Sequence, residues 1–200
     1  IQFKISVPAQ RHSQTAAECA MRLHPLLKNR IEDIDRVVLE CHSHTIRMIS
    51  VEGPLPNFAA RDHCLQYVVA VALIDGDITT ESYEDAHAAD PRIDKLRALM
   101  HVEESAKYTA MLRDKALGAN PNAIEVTYKD GTQSTRVEVE YPVGHPRRRD
   151  EGIPLLVEKF KGNLARRFDD KRRQAILALC LDHAKLAATP VNVFTDLLAA

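Results

Sequence analysis

The chain has 200 residues, 27 Lys and Arg against 28 Asp and Glu, a formal net charge of −1 and 45% hydrophobic residues. The charge balance lacks the basic excess of a general nucleic-acid binder, and no apolar run approaches the ~18 residues needed to span a bilayer. The apolar fraction supports a core, which argues against intrinsic disorder, and the length suits one domain, or one and part of another.

The chain begins Ile1-Gln2-Phe3, without Met and without the basic start of a signal peptide. It reads as the interior of a longer chain. Residues 13–24 are predicted helical, with Ser13 as cap and Ala16, Ala20, Leu23 and Leu27 at helical spacing. Pro25 predicts the end of that helix near His24. Ile34 to Cys41 and Thr45 to Val51 are rich in β-branched and apolar residues and predict two extended runs, joined by His42-Ser43-His44. Gly53-Pro54-Leu55-Pro56-Asn57 is a loop signal.

Residues 62–75 predict a helix apolar on nearly every face, hence buried on several sides, and stopped by Asp75-Gly76. Asp90-Pro91 starts another helix, with Ile93, Leu96 and Met100 as its stripe. Ile124, Val126 and Tyr128 alternate with polar residues, as do Val137, Val139 and Tyr141. Asp130-Gly131 between them predicts a hairpin with one apolar face.

A structural boundary is expected near residue 150. Residues 1–150 read as mixed helix and strand, and residues 151–200 as three helices after Pro154. Their stripes are Leu156, Phe160, Leu164 and Phe168; Ile176, Leu179 and Cys180; and Phe194, Leu197 and Leu198. The fold class is α+β, with helices packed on an antiparallel or mixed sheet and an all-helical C-terminal segment. One hairpin sheet offers little surface to cover the closing stripes, which are expected to pack on a missing domain or a second subunit.

Four scattered cysteines (Cys19, Cys41, Cys64, Cys180) form no CxxC pair and read as reduced, buried thiols. His42 and His44 would share one face of a strand, but two ligands leave a structural metal site short of its usual four. No metal and no cofactor is therefore assigned. Phosphate-cradle and nucleophile-elbow motifs are absent from the sequence.

Three segments hold candidate chemistry. In residues 144–149 (GHPRRR), His145, Arg147, Arg148 and Arg149 can fork onto a polycarboxylate; the same run also reads as a solvated linker pairing with Asp150 and Glu151. Lys4, Gln10, Arg11 and His12 precede a helix N-terminus, which suits anions. Arg61, His63 and Tyr67 stand at the entrance of the most apolar helix, with Tyr67 one turn in from His63. Such polar groups mark either a pocket rim or ordinary caps.

Several stretches together resemble the C-terminal part of the MmgE/PrpD family. These are residues 3–16 (FKISVPAQRHSQTA), 53–57 (GPLPN) with 61–67 (RDHCLQY), 90–97 (DPRIDKLR), 139–149 (VEYPVGHPRRR), 152–161 (GIPLLVEKFK), 163–168 (NLARRF) and 190–197 (PVNVFTDL). The resemblance implies a large helical domain and a smaller α+β lid, with the active site between them. Residues 1–150 would then be the lid, and residues 151–200 helices belonging to a large helical domain whose N-terminal part is absent.

The implied reaction removes water from 2-methylcitrate to give 2-methyl-cis-aconitate, in propionate breakdown by the methylcitrate cycle. These 200 residues are expected to be inactive without the N-terminal helical domain. Other family chemistry, such as cis-aconitate decarboxylation, and a non-enzymatic carboxylate-binding module are the alternatives. By resemblance, Tyr67 is a proton donor or orienter, and Lys4 is the lysine placed before a proline on the first lid segment. Gln10 falls where some relatives carry a histidine, a role that His12 can take. Catalysis is assigned to Tyr67, His12 and Lys4. Substrate binding is assigned to Gln10, His63, His145, Arg147, Arg148 and Arg149. The expected partners are a small tricarboxylate, the N-terminal helical domain and a second copy in a homodimer, with no nucleic acid and no membrane. The expected compartment is the cytoplasm, or the mitochondrial matrix in a eukaryote.

Overall fold

A four-stranded mixed sheet organises the first part of the chain in this computed structural model, which describes residues 3–199. The chain divides into two compact units, Ile1–Arg149 and Asp150–Ala200. In the first, a 3₁₀ turn at Arg11–Ser13 leads into α1 (Gln14–Leu27), followed by β1 (Ile34–Cys41), α2 (Ser43–Ile49), α3 (Phe58–Asp62) and α4 (Leu65–Asp75). Then come α5 (Asp85–Ala88), α6 (Pro91–Ala98), β2 (Met100–Glu104), α7 (Ala106–Arg113), β3 (Asn122–Tyr128) and β4 (Val137–Val139). Strand order is β2-β1-β3-β4, with β1 parallel to β2 and antiparallel to β3, and β3 antiparallel to β4. The fold class is α+β, as expected.

The layering explains the composition of α4. Val37, Leu39, Ile124 and Val126 are buried in the sheet, and α1 packs across β3 and β4. Alanines on the buried face of α1 (Ala16, Ala17, Ala20) permit close approach, and α4 lies against α1 and α6. Packed by these helices, α4 has no solvent face: residues 65–74 are all buried. Truncating one of its large side chains, such as Leu73→Ala, would cost about 2–5 kcal/mol. Gly76 closes the helix at φ +77°, and a Cβ there would fall 2.6 Å from the His24 ring.

Several sequence expectations are corrected. Helix α1 runs through Pro25 to Leu27, because a proline near the C-terminal end forfeits one backbone bond without breaking the helix. Ser13 makes no side-chain cap; its hydroxyl donates to the Gln10 carbonyl (2.7 Å), and Gln10 caps the 3₁₀ turn instead. Residues 45–49 are helical rather than extended. His42 accepts from the Thr45 amide (3.2 Å) and starts α2, so a cap overrides β-branched propensity. The 62–75 segment is α4 alone, preceded by the short α3. Met100 opens β2 rather than extending the helix before it. The Asp130-Gly131 turn forms as read, with Gly131 at φ +81°, but β4 ends at Val139, short of Tyr141.

The second unit holds four helices rather than three: α8 (Arg149–Ala165, starting on the last residue of the first unit), α9 (Asp170–Cys180), α10 (His183–Ala188) and α11 (Val191–Leu198). Phe168 lies beyond the end of α8. Asp169 and Asp182 cap α9 and α10 through the amides of Arg172 (2.8 Å) and Lys185 (2.9 Å). The Arg172 guanidinium donates to the Leu197 and Asp196 carbonyls (2.8 and 2.9 Å), a cation at the negative end of α11. Ile176 and Leu179 are buried, whereas Leu181, Val191 and Val193 are exposed.

Candidate active site in the first unit

Residues 3–10 have no regular secondary structure, and side chains from elsewhere hold them. The buried amide of Gln14 donates to the Val7 and Ala9 carbonyls (3.0 and 2.7 Å), tying the segment to the start of α1. Phe3 N donates to the Gly144 carbonyl (2.9 Å). A Cβ on Gly144 would sit 1.7 Å from the Phe3 carbonyl oxygen, so only glycine fits there. The Arg149 guanidinium lies 4.3 Å from the centroid of the Phe3 ring. These ties place Lys4 beside the 3₁₀ turn. Phe3, Lys4, Arg11 and Gln14 line a cavity of about 430 Å³ with two cationic side chains.

The same turn carries His12, half-buried beside exposed Arg11. Gln10 accepts from the His12 amide at 2.5 Å and fixes the turn. His12 Nδ1 lies 3.2 Å from Asn120 Oδ1, and His42 Nε2 lies 2.8 Å from the same oxygen. The Asn120 amide donates to the Arg11 carbonyl (2.8 Å). His12 and His42 meet edge to face at 5.0 Å, and the exposed His44 ring stands within 6.5 Å of both. Burial lowers the His12 pKa from its ordinary value, opposed by the Asn120 hydrogen bond and aided by Arg11 and His44. Burial lowers that of His42 further, to about 4. Two neutral imidazoles, one of them solvent-reachable, therefore stand next to Arg11, which lines the cavity with Lys4. This arrangement can take a proton from carbon and hold carboxylates.

The model for the MmgE/PrpD C-terminal domain matches residues 7–183. The chain belongs to the MmgE/PrpD family. It is 51% identical over 202 aligned residues to 2-methylcitrate dehydratase of Cupriavidus necator, covering 100% of this chain and 42% of that protein. With the Escherichia coli K12 2-methylcitrate dehydratase it shares 48% identity, over 98% of this chain and 41% of the relative. The mitochondrial 2-methylcitrate dehydratase of Yarrowia lipolytica is 45% identical over 88% of this chain and 34% of the relative. The chain thus spans about two-fifths or less of the length of these curated relatives.

The structure of this MmgE/PrpD domain puts Gln10 and His12 on one turn with Arg11, which shares a cavity with Lys4, and the remaining sequence candidates lie in two other settings. The Tyr67 hydroxyl donates to the Ser82 carbonyl (2.7 Å), and burial pushes its pKa up to about 12. It borders a cavity of about 210 Å³ with Arg61, Asp85, Asp94 and Arg97. Arg61 donates to the Tyr83 carbonyl (2.6 Å), so Tyr67 and Arg61 both brace the 81–83 turn. His63 is exposed, and its ring meets the Ala59 carbonyl (3.1 Å) at the end of α3.

The 144–149 loop is an assembled turn. His145 is buried, accepts from the Arg147 amide (3.1 Å) and packs on Tyr141. Burial lowers its pKa, with Arg147 and Arg149 adding to the effect. Arg147 lies over the Tyr141 ring (5.1 Å). Arg148 grips both oxygens of Glu18 at 2.8 Å and the Tyr141 carbonyl at 2.6 Å. Sequence reasoning named Arg11 only as part of an anion-suited segment and missed Asn120 and Gln14 as site residues. Asn120 carries no local signal, because its two histidine partners lie 108 and 78 residues away. Among the described residues, no group of three or more His, Cys, Asp or Glu could hold a metal ion, and no helix is long and apolar enough to cross a membrane.

Proposed function

We propose that this chain is the lid and the returning helices of a hydro-lyase that dehydrates 2-methylcitrate to 2-methyl-cis-aconitate. The observation that carries the reading is the cavity lined by Lys4 and Arg11 beside a half-buried, neutral His12. Dehydration breaks a C–H bond next to a carboxylate and a C–O bond on the neighbouring carbon. His12 accepts the carbon-bound proton, the freed electron pair forms the C=C bond, and the hydroxyl leaves with a proton from an acid as water. Lys4 and Arg11 bind carboxylates and stabilise the charge that builds on the carboxylate beside the breaking C–H bond.

The N-terminal helical domain of a longer chain supplies the remaining groups, including the acid. Exposed Leu181, Val191 and Val193 of the second unit support a partner surface for that domain, and a homodimer is the assembly we assign to the whole. The Ser82 bond favours bracing over proton donation for Tyr67, and the Glu18 fork favours positioning over substrate binding for Arg148. The compartment is the cytoplasm or, in a eukaryote, the mitochondrial matrix, as in the name of the Yarrowia relative. The test is ultraviolet absorbance of the enoate formed when 2-methylcitrate meets the protein carrying this chain together with its N-terminal domain. Product formation is expected; a folded, complete protein that forms none overturns the reading.

A further inference from the structure

We infer that Asn120 is a positioning residue that fixes the tautomer of His12, leaving Nε2 as its bare, basic nitrogen. The argument starts from two backbone groups whose roles are not adjustable. The Thr45 amide can only donate, and it shares its proton between the His42 carbonyl (3.0 Å) and His42 Nδ1 (3.2 Å), so that nitrogen carries a lone pair. His42 is fully buried, and its neutral ring must then carry its proton on Nε2. That N–H points at the Asn120 side chain, 2.8 Å away, and requires an oxygen there.

The second fixed group gives the same answer independently. The Arg11 carbonyl can only accept, and it lies 2.8 Å from the other terminal atom of Asn120, which must be the amide nitrogen. Both constraints orient the carboxamide the same way. Its oxygen offers lone pairs only, so His12 Nδ1, 3.2 Å away, must donate to it. A neutral His12 has one ring proton, and Nδ1 holds it. The Thr45 hydroxyl lies 3.1–3.3 Å from both His42 nitrogens and can donate or accept, so it does not alter the assignment.

The carboxamide cannot easily swing away. The Asn120 backbone N–H donates to the Glu140 carbonyl (3.0 Å) and its backbone carbonyl accepts from the Thr15 hydroxyl (2.5 Å), which fixes the backbone, while the side-chain NH2 is held by the Arg11 carbonyl. Arg11, His42 and His44 are the titratable groups around the His12 ring, and among the described residues Asn120 Oδ1 is the one acceptor hydrogen-bonded to Nδ1. When His12 takes a proton at Nε2, the imidazolium keeps its Nδ1–H bond to Asn120. The network therefore suits both protonation states and needs no rearrangement between them. The tautomer follows from the hydrogen bonds alone; its catalytic consequence rests on the proposed role of His12 in proton transfer.

The test is a long-range ¹H–¹⁵N spectrum of the histidine rings in the protein carrying this chain with its N-terminal domain, paired with steady-state kinetics. The expected wild-type spectrum shows His12 protonated on Nδ1 and His42 on Nε2. His12 protonated on Nε2, or a mixture, would overturn the inference. Asn120→Leu removes the acceptor and is expected to release the Nδ1–H tautomer and lower kcat by about 10²–10⁴ with KM little changed, the scale of loss when an orienting group presents the wrong tautomer. Asn120→Asp keeps the acceptor and should keep the Nδ1–H signature and restore kcat to within about tenfold of wild type. A kcat loss in Asn120→Leu with the tautomer unchanged would overturn the assigned role. Should Asn120→Leu fail to fold, the wild-type spectrum and Asn120→Asp still decide. Full activity in His12→Asn would instead refute the catalytic role of His12 and leave the tautomer assignment standing.

Discussion

Replacing Gly144 with alanine tests how the Lys4 segment is held. The new Cβ would lie 1.7 Å from the Phe3 carbonyl oxygen, whereas ordinary contact begins at 3.4 Å. The obstacle is backbone, so no flexible side chain can turn aside, and the two strands of chain must part by more than an ångström. That separation breaks the bond from Phe3 N to the Gly144 carbonyl, a loss of about 0.5–1.5 kcal/mol. It also disturbs the Arg149–Phe3 stacking, a loss of about 0.5–1 kcal/mol. The expected destabilisation is about 1–3 kcal/mol, or a fall in Tm of roughly 2–10 °C for a protein of this size or larger. Lys4 moves with Phe3, so KM for the tricarboxylate should rise. The assay is thermal unfolding and steady-state kinetics, with Gly162→Ala as the control. Gly162 lies inside α8 with nothing within 4 Å of an added Cβ, and alanine there should stabilise by about 0.5–1 kcal/mol. If Gly144→Ala leaves both Tm and KM unchanged, the close approach does not position the segment.

Three further outcomes follow from single contacts. Glu18→Gln should lower stability by about 1–3 kcal/mol by chemical denaturation, because the bidentate Arg148 pair is only 13–16% exposed; no measurable change would demote it to a surface pair. Tyr67→Phe should cost about 1 kcal/mol, by leaving the Ser82 carbonyl without its donor, and less than tenfold in kcat; a loss of 10² or more would return Tyr67 to proton transfer. His42 stays neutral in the folded state down to about pH 4, whereas the unfolded chain binds the proton near 6.5. Its stabilisation, about 3 kcal/mol, is therefore fully present above pH 6.5 and lost as pH falls to about 4. Unfolding free energy measured across that window should slope downward with acid, and His42→Gln should flatten the slope; an equal slope in the variant would refute the assignment.

Elements set by local chemistry were legible in the sequence. Asp90-Pro91 caps its helix as read, with Asp90 accepting from the Arg92 amide at 2.9 Å. The Asp130-Gly131 turn and the all-apolar run of α4 also carried their own signals, and the reason for that run is the packing of α1 and α6 against it. What escaped was set by tertiary partners. Met100–Glu104 looks too charged for a strand, yet it is the sheet edge, where one side has no strand to satisfy. Residues 45–49 look extended and are turned into a helix by the His42 cap. At the candidate site, Lys4, Gln10 and His12 drew attention in the sequence because they precede a helix start. Asn120 was not, because nothing in its neighbours announces two imidazoles brought from distant parts of the chain.

The measurement that tests the central claim most directly is kcat for 2-methylcitrate in His12→Asn, compared with wild type in the protein carrying this chain and its N-terminal domain. If the half-buried imidazole beside Arg11 takes the proton from carbon, kcat falls by about 10²–10⁴ while the fold is retained. A folded variant whose kcat stays within about threefold of wild type, well short of that range, would contradict the account.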